Sequence, residues 1–189
     1  MKNVSASYLK HHFLIAMPHM ADPNFVQTLT YVVEHNAEGA MGIVINRPQS
    51  LTLADVLEQL RPEVTAHSRC QYIPILTGGP VQTDRGFVLH PTGQVFQATL
   101  DLGDLALSTS QDVLFSIADG HGPEKSVIAL GYAGWNAGQL DAELSANAWL
   151  TCPFDPAILF DTPMELRLNA AAARLGVNLS LLTSQAGHA

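Results

Sequence analysis

The sequence predicts an α+β domain in which an antiparallel sheet is flanked by about four helices. Three observations predict it: short β-branched and aromatic stretches follow one another without intervening helices, four segments show helical spacing, and turn residues punctuate the chain between them. A length of 189 residues, 47% apolar and only 14% charged, suits a single domain over 1–189 with one sizeable core. Residues 1–7 and 183–189 are expected to be flexible ends.

HFLIAMP (His12 to Pro18) reads as a buried strand, and ADPNF (Ala21 to Phe25) as a turn in which Pro23 fixes φ. TLTYVVE (Thr28 to Glu34) and AMGIVIN (Ala40 to Asn46) form a hairpin across HNAEG, closed by Arg47-Pro48. A helix follows from Thr52 to about Leu60. Thr52 with Asp55 makes a capping pattern, Leu53, Val56, Leu57 and Leu60 recur at helical spacing, and Pro62 ends the run.

The middle of the chain returns to strands at Tyr72–Leu76, Gly86–Pro91, Val95–Leu100 and Leu105–Thr109. Their separation by GGP, TDRG, PTG and LGD turns argues for antiparallel pairing. Thr109 with Asp112 caps a second helix through about Ala118. SVIALGY (Ser126 to Tyr132) is a strand leading into a glycine-rich turn and a third helix with Asn136 as its cap. Trp149–Phe154 and Ala157–Asp161 read as short strands. Thr162-Pro163-Met164-Glu165 then opens a last helix that Gly176 stops.

Nine Lys plus Arg against seventeen Asp plus Glu give a net charge of −8, and the cations are scattered, so direct nucleic-acid binding is disfavoured. The N-terminus lacks the apolar run of a signal peptide, and no segment reaches the ~20 apolar residues of a membrane span; a cytoplasmic protein without a membrane partner is expected. The low charged fraction allows weak self-association. Cys70 and Cys152 form no CxxC and are expected as two reduced thiols.

The segment GYAGWNAGQLDAEL (Gly131 to Leu144) is the densest pattern in the chain. Its glycines match neither GxGxxG nor GxxxxGK[ST], and Asp141 and Glu143 discourage an anion in the first turns of the helix, so tight backbone packing is preferred to a phosphate cradle. Asp141 and Glu143, two apart on a helix, point away from each other and make no dyad. Asn136, Gln139, Glu143 and Asn147 form a polar stripe beside an apolar one of Ala137, Leu140 and Leu144, and Trp135 with Tyr132 could supply a flat wall for a ligand or partner.

Eight histidines include no HxH or HExxH, so no metal and no cofactor are expected, and His19, His35 and His90 read as turn or strand-end residues. Arg47 in INRP and Arg85 in TDRG sit at strand ends. They could clamp a carboxylate or phosphate if they converge, although surface arginines, with Asp84 as the partner of Arg85, are the simpler expectation.

With HFLIAMPHMADPNF, GAMGIVINRP, LTGGPVQTDRGFVLHP, STSQDVLFSIADG and GYAGWNAGQLDAEL in order, the sequence resembles the bacterial AlgH/YqgE family over roughly residues 8–186, pseudomonad members above all. The resemblance implies a compact α+β fold with an antiparallel, partly barrel-like sheet flanked by helices. It also implies a part in transcriptional control, in pseudomonads of alginate production, and it supplies no catalytic residues. Its motif positions fall on Asn46, Arg47 and Pro48, on Gly78, Gly79 and Pro80, on His90, and on Gly131, Trp135, Gly138, Gln139 and Glu143, with Asp141 standing where Glu is expected.

The function expected is therefore a non-enzymatic regulatory protein acting through an unidentified protein or small molecule. The ligand or partner surface is expected at Asn46, Arg47, Arg85, His90, Trp135, Gln139 and Glu143. The alternatives are an enzyme with Arg47, Arg85, His90 and Glu143 in one pocket, and a direct DNA-binding regulator.

Overall fold

A computed structural model describes residues 8–186, with side chains to residue 182. In chain order the elements are β1 (His12–Ala16), β2 (Leu29–Asn36), β3 (Gly39–Val44), β4 (Pro48–Thr52), α1 (Leu53–Leu60), β5 (Pro74–Thr77), β6 (Val81–His90), β7 (Thr99–Asp101) and β8 (Ala106–Ser108). Then come α2 (Asp112–Ala118), β9 (Val127–Asn136), α3 (Gln139–Ser145), β10 (Trp149–Pro153), α4 (Pro156–Phe160), α5 (Arg167–Arg174) and α6 (Leu179–Ala186).

The sheet is a curled half-barrel ordered β10-β1-β2-β3-β9-β6-β8-β7, with β4 and β5 attached to β9 through β5. The long strand β9 is its hub. Its first half pairs antiparallel with β6 and parallel with β5, and its second half pairs antiparallel with β3. The parallel pair lies within a sheet that is otherwise antiparallel, as expected. It arises because β5 runs beside the start of β9 before the chain turns at Gly78 and Gly79 and returns as β6 on the other side of β9.

Alternation along the strands sorts the core. Phe13, Ile15, Tyr31, Val33, Phe87 and Leu89 face the main cluster, which α4 and α5 close with Ile158, Leu159, Ala171 and Ala172. From the opposite face of β6 and β9, Val88 and Ile128 pack on α1 and α2. Leu14, Val32, Ala133 and Trp135 pack with Leu140 of α3 and with Trp149. Both cysteines are free and buried, in different clusters.

Several local expectations give way. Ala157–Asp161 is the helix α4, because Asp155 accepts from the Ala157 N–H at 3.0 Å and Pro156 supplies a helical φ in its first turn. Of Val95–Leu100 only Thr99 and Leu100 enter a strand. The preceding loop is instead strapped by the Gln97 N–H to Asp112 and the Ala98 N–H to Ser110. Asp112 opens α2, whereas Thr109 donates its N–H to Ala98.

Strand β4 was not expected, nor was helix α6, which together with α4 makes six α-helices rather than about four among the described residues. The capping box at α1 is present, the Thr52 N–H donating to Asp55 at 2.8 Å. The expected flexible ends at 1–7 and 187–189 lie outside the described residues, while 183–186 belong to α6. No helix among the described residues is long and apolar enough to cross a membrane.

Candidate functional site

The glycine-rich segment is not a turn. Strand β9 continues unbroken through Gly131 and Gly134 to Asn136, and the glycines serve the place where two backbones cross. Gly131 has φ +78, and a Cβ there would stand 2.4 Å from the Gly79 carbonyl oxygen; one on Gly79 would stand 2.1 Å from the Tyr132 carbonyl carbon. LTGGP and GYAG are thus one joint, built to bring main chain against main chain.

Beside the joint β6 is distorted. Val81 pairs with Tyr132 and Gly86 with Leu130, so Gln82, Thr83, Asp84 and Arg85 stand opposite Gly131 alone. Gln82 takes φ +47, a left-handed conformation that non-glycine residues adopt at a cost of order 1–3 kcal/mol. Bulges of this kind re-aim side chains. Here the bulge presents Arg85 to a pocket of about 420 Å³ walled by Val33, Met41, Phe87, Leu107 and Tyr132, in the open part of the half-barrel. The Arg85 guanidinium lies 5.4 Å from the Phe87 ring centroid and donates to the Gln82 side-chain oxygen at 3.3 Å. Asp84 makes no ion pair with it and lines a separate cavity against α1 and α2.

The other expected site residues do not join Arg85. Asn46 accepts from the Leu29 N–H at 2.8 Å and donates to the Gln27 carbonyl, and Arg47 donates to the Asn24 and Val26 carbonyls, so both fasten the 24–29 segment. Trp135 is 5% exposed, enclosed by Phe25 and Trp149, and offers no flat wall.

Helix α3 is capped by Gly138 at φ +74 rather than by Asn136, whose N–H instead donates to the Gln139 side chain at 3.0 Å. Ala137, placed in the apolar stripe, is exposed. Glu143 is half-buried on α3, with one carboxylate oxygen buried and lacking a hydrogen-bond partner among the described residues. The four residues of the enzyme alternative are therefore not gathered in one pocket. Among the described residues no three His, Cys, Asp or Glu side chains group as a metal site.

His90 is buried at the end of β6, where its Nδ1 lies 2.9 Å from the Pro91 carbonyl and its Nε2 lies 2.7 Å from Ser108 Oγ. A carbonyl only accepts, so Nδ1 carries the proton and Nε2 accepts from the serine hydroxyl. Ser108 in turn accepts from Thr99, whose oxygen takes the Phe96 N–H. Each link has one donor direction, which locks the β6–β7 loop onto the sheet.

Burial holds His90 below the ordinary histidine pKa, against a smaller opposing pull from the Pro91 carbonyl. The unfolded chain then binds more protons than the folded one below about pH 6.5, so stability should fall as pH drops through that value. Urea midpoints at pH 7.5, 6.5 and 5.5 are expected to decrease in that order and to decrease less for His90→Gln. His11, also depressed by burial, keeps some slope in the variant. Equal losses in both proteins would remove His90 from this account.

Two features escaped the sequence. The pocket draws its walls from β2, β3, β6, β7, β8 and β9, residues distant in sequence that no local pattern groups. A second cavity, of about 440 Å³, lies between Arg61 and Arg69 where α1 and α2 end. There Arg69 donates to the Ile117 and Ala118 carbonyls, and Arg61 stacks on Phe115 at 4.1 Å, so both cations serve helix C-termini.

Comparison with known proteins places these features in a family. A family model described as DUF179, AlgH-like, matches residues 13–180. A UPF0301 protein of Pseudomonas fluorescens strain SBW25 is 78% identical over 189 residues, covering all of both chains. The UPF0301 protein AlgH of Pseudomonas aeruginosa is 75% identical, again over all of both chains. The solution structure of the Pseudomonas aeruginosa AlgH protein superimposes with a TM-score of 0.81 over all of both chains. A Corynebacterium diphtheriae crystal structure at 19% identity shares the fold, with a TM-score of 0.70 over 94% of this chain and 92% of that one.

Proposed function

The chain belongs to the AlgH-like family, and from that premise we propose that it is a non-enzymatic cytoplasmic regulatory protein that responds to a small molecule held in the pocket between β6, β8 and β9. The observation that carries this reading is the pocket itself. Its volume of about 420 Å³ and apolar walls suit a small ligand, since ligand sites are typically concave, mostly apolar and roughly 300–1,000 Å³ in size.

An influence on transcription, including control of alginate production, would pass through a protein partner whose binding the ligand alters. The net charge of −8 opposes direct contact with DNA. The enzyme alternative loses its basis as drawn. Arg47 is committed to loop carbonyls, His90 faces the α2 side of β6, and Glu143 sits on α3, none of them beside Arg85.

A thermal-shift screen of small apolar compounds tests the proposal. A compound at about 100 times its Kd adds about 2.7 kcal/mol, or roughly 5–10 °C for a chain of this size. Ala98 lines the pocket and is exposed, so Ala98→Trp is expected to fill the space without disturbing the core and to abolish the shift. A shift of equal size in that variant would place the ligand elsewhere.

A further inference from the structure

The described chain contains eight Lys and Arg residues, and seven of them are committed to oxygen atoms of the protein. Lys10, Arg61, Lys125 and Arg174 face Glu34, Asp119, Asp161 and Asp155. Arg47, Arg69 and Arg167 donate to backbone carbonyls. Arg85 differs from all of these. Among the described residues its guanidinium meets one neutral amide oxygen at 3.3 Å and the face of Phe87, and neither carboxylate nor backbone carbonyl.

The setting gives that difference chemical content. Arg85 is exposed, with its guanidinium over the Phe87 ring at 5.4 Å, and two parallel N–H groups of such a guanidinium match a carboxylate. The bulge at Gln82–Arg85 carries the group to the rim of an apolar pocket, and the strained φ of Gln82 is part of that placement. With a chain charge of −8 the long-range field repels anions, so recognition of one must be local, and Arg85 is where such a contact is available.

We infer that the pocket takes an amphipathic monoanion, its apolar body against Val33, Met41, Phe87, Leu107 and Tyr132 and its carboxylate on the Arg85 guanidinium. The inference rests on the pocket being the ligand site proposed above. Aliphatic and aromatic carboxylates share this chemistry, and matched probes separate them.

Binding of decanoate against 1-decanol, and of 2-naphthoate against 2-naphthol, is measured by titration calorimetry at pH 7.5 on the full chain and on Arg85→Gln, Arg85→Lys and Ala98→Trp. In at least one pair the acid should bind the unmodified protein on the order of tenfold tighter than its neutral analogue. Arg85→Gln should erase that preference while leaving the neutral analogue's affinity unchanged. Arg85→Lys should keep part of it, because charge remains but the two-pronged geometry does not. Ala98→Trp should abolish binding of both members.

Acid and neutral probe binding equally well to the unmodified protein would overturn the anionic head while leaving the pocket reading intact. A preference that survives Arg85→Gln would assign the anion contact to another group and overturn this inference too. Failure of all four probes to bind, or binding undiminished by Ala98→Trp, would overturn the pocket reading and the inference together.

Discussion

Gly131→Ala is expected to destabilise the fold by about 2–6 kcal/mol, a large share of the roughly 5–15 kcal/mol that holds a typical domain together. Two physical causes add. At φ +78 a side chain is strained by roughly 1–3 kcal/mol, and the new methyl would lie 2.4 Å from the Gly79 carbonyl oxygen and 3.1 Å from that of Val81. Both neighbours are main chain at the hub of the sheet, and relieving such overpacking costs about 1–3 kcal/mol more.

Gly138→Ala separates the causes. Gly138 has nearly the same φ, +74, but a Cβ there meets nothing within 4 Å, so only the strain of roughly 1–3 kcal/mol should be measured. Urea unfolding of the two variants gives the comparison. Equal losses would mean that the crossing of β5, β6 and β9 is not close-packed. The variant also bears on function, because any backbone shift that admits a methyl at Gly131 moves the bulge opposite it and Arg85 with it. A loss of carboxylate preference in Gly131→Ala beyond its loss of stability would tie the joint to the pocket.

Local chemistry made much of this fold legible. β2 and β3 could be read because Leu29–Asn36 and Gly39–Val44 combine β-branched residues with a turn of Asn, Glu and Gly, signals that act over a few residues. Helix α1 could be read because Thr52 and Asp55 cap it within one turn. AILF in α4 fits strand or helix equally, and the deciding contact, Asp155 to the Ala157 N–H, depends on the loop path into it. The antiparallel sheet was legible too, apart from the parallel pairing of β5 with β9, some fifty residues onward, because pairing across that distance leaves no local trace.

The candidate site was less legible for the same reason. Of Asn46, Arg47, Arg85, His90, Trp135, Gln139 and Glu143, only Arg85 lines the apolar pocket, whose other walls come from six strands and include core residues such as Val33, Phe87 and Leu107 beside exposed Ala98 and Leu100. The motifs that carry the family resemblance turn out largely to describe construction. Asn46 and Arg47 tether a loop, His90 and Ser108 lock another, and the glycines permit a backbone crossing. Arg85 stands apart because, among the described residues, its guanidinium meets a neutral amide oxygen and an aromatic ring but no carboxylate or backbone carbonyl.

Trp135→Ala is the other substitution with a large expected effect, about 3–5 kcal/mol of stability. The side chain is 5% exposed and forms one aromatic cluster with Phe25, stacked at 5.8 Å, and Trp149, edge-on at 6.1 Å. Its removal leaves a cavity between β9, α3 and the turn that carries Phe25, and that turn is the one Arg47 holds through the Asn24 and Val26 carbonyls. Phe25→Ala should therefore be non-additive with Trp135→Ala by roughly 0.5–1.5 kcal/mol in a double-mutant cycle, the scale of an aromatic pair.

The consequence for function is direct. A partner lost by Trp135→Ala would report a loosened fold, whereas exposed Gln139 on the same segment can be changed to Ala without opening the core. Partner capture that survives Trp135→Ala but not Gln139→Ala would place recognition on the outer face of α3. An unfolding free energy for Trp135→Ala within about 1 kcal/mol of the unmodified protein would contradict its burial, and would restore Trp135 as a surface on which a partner could sit.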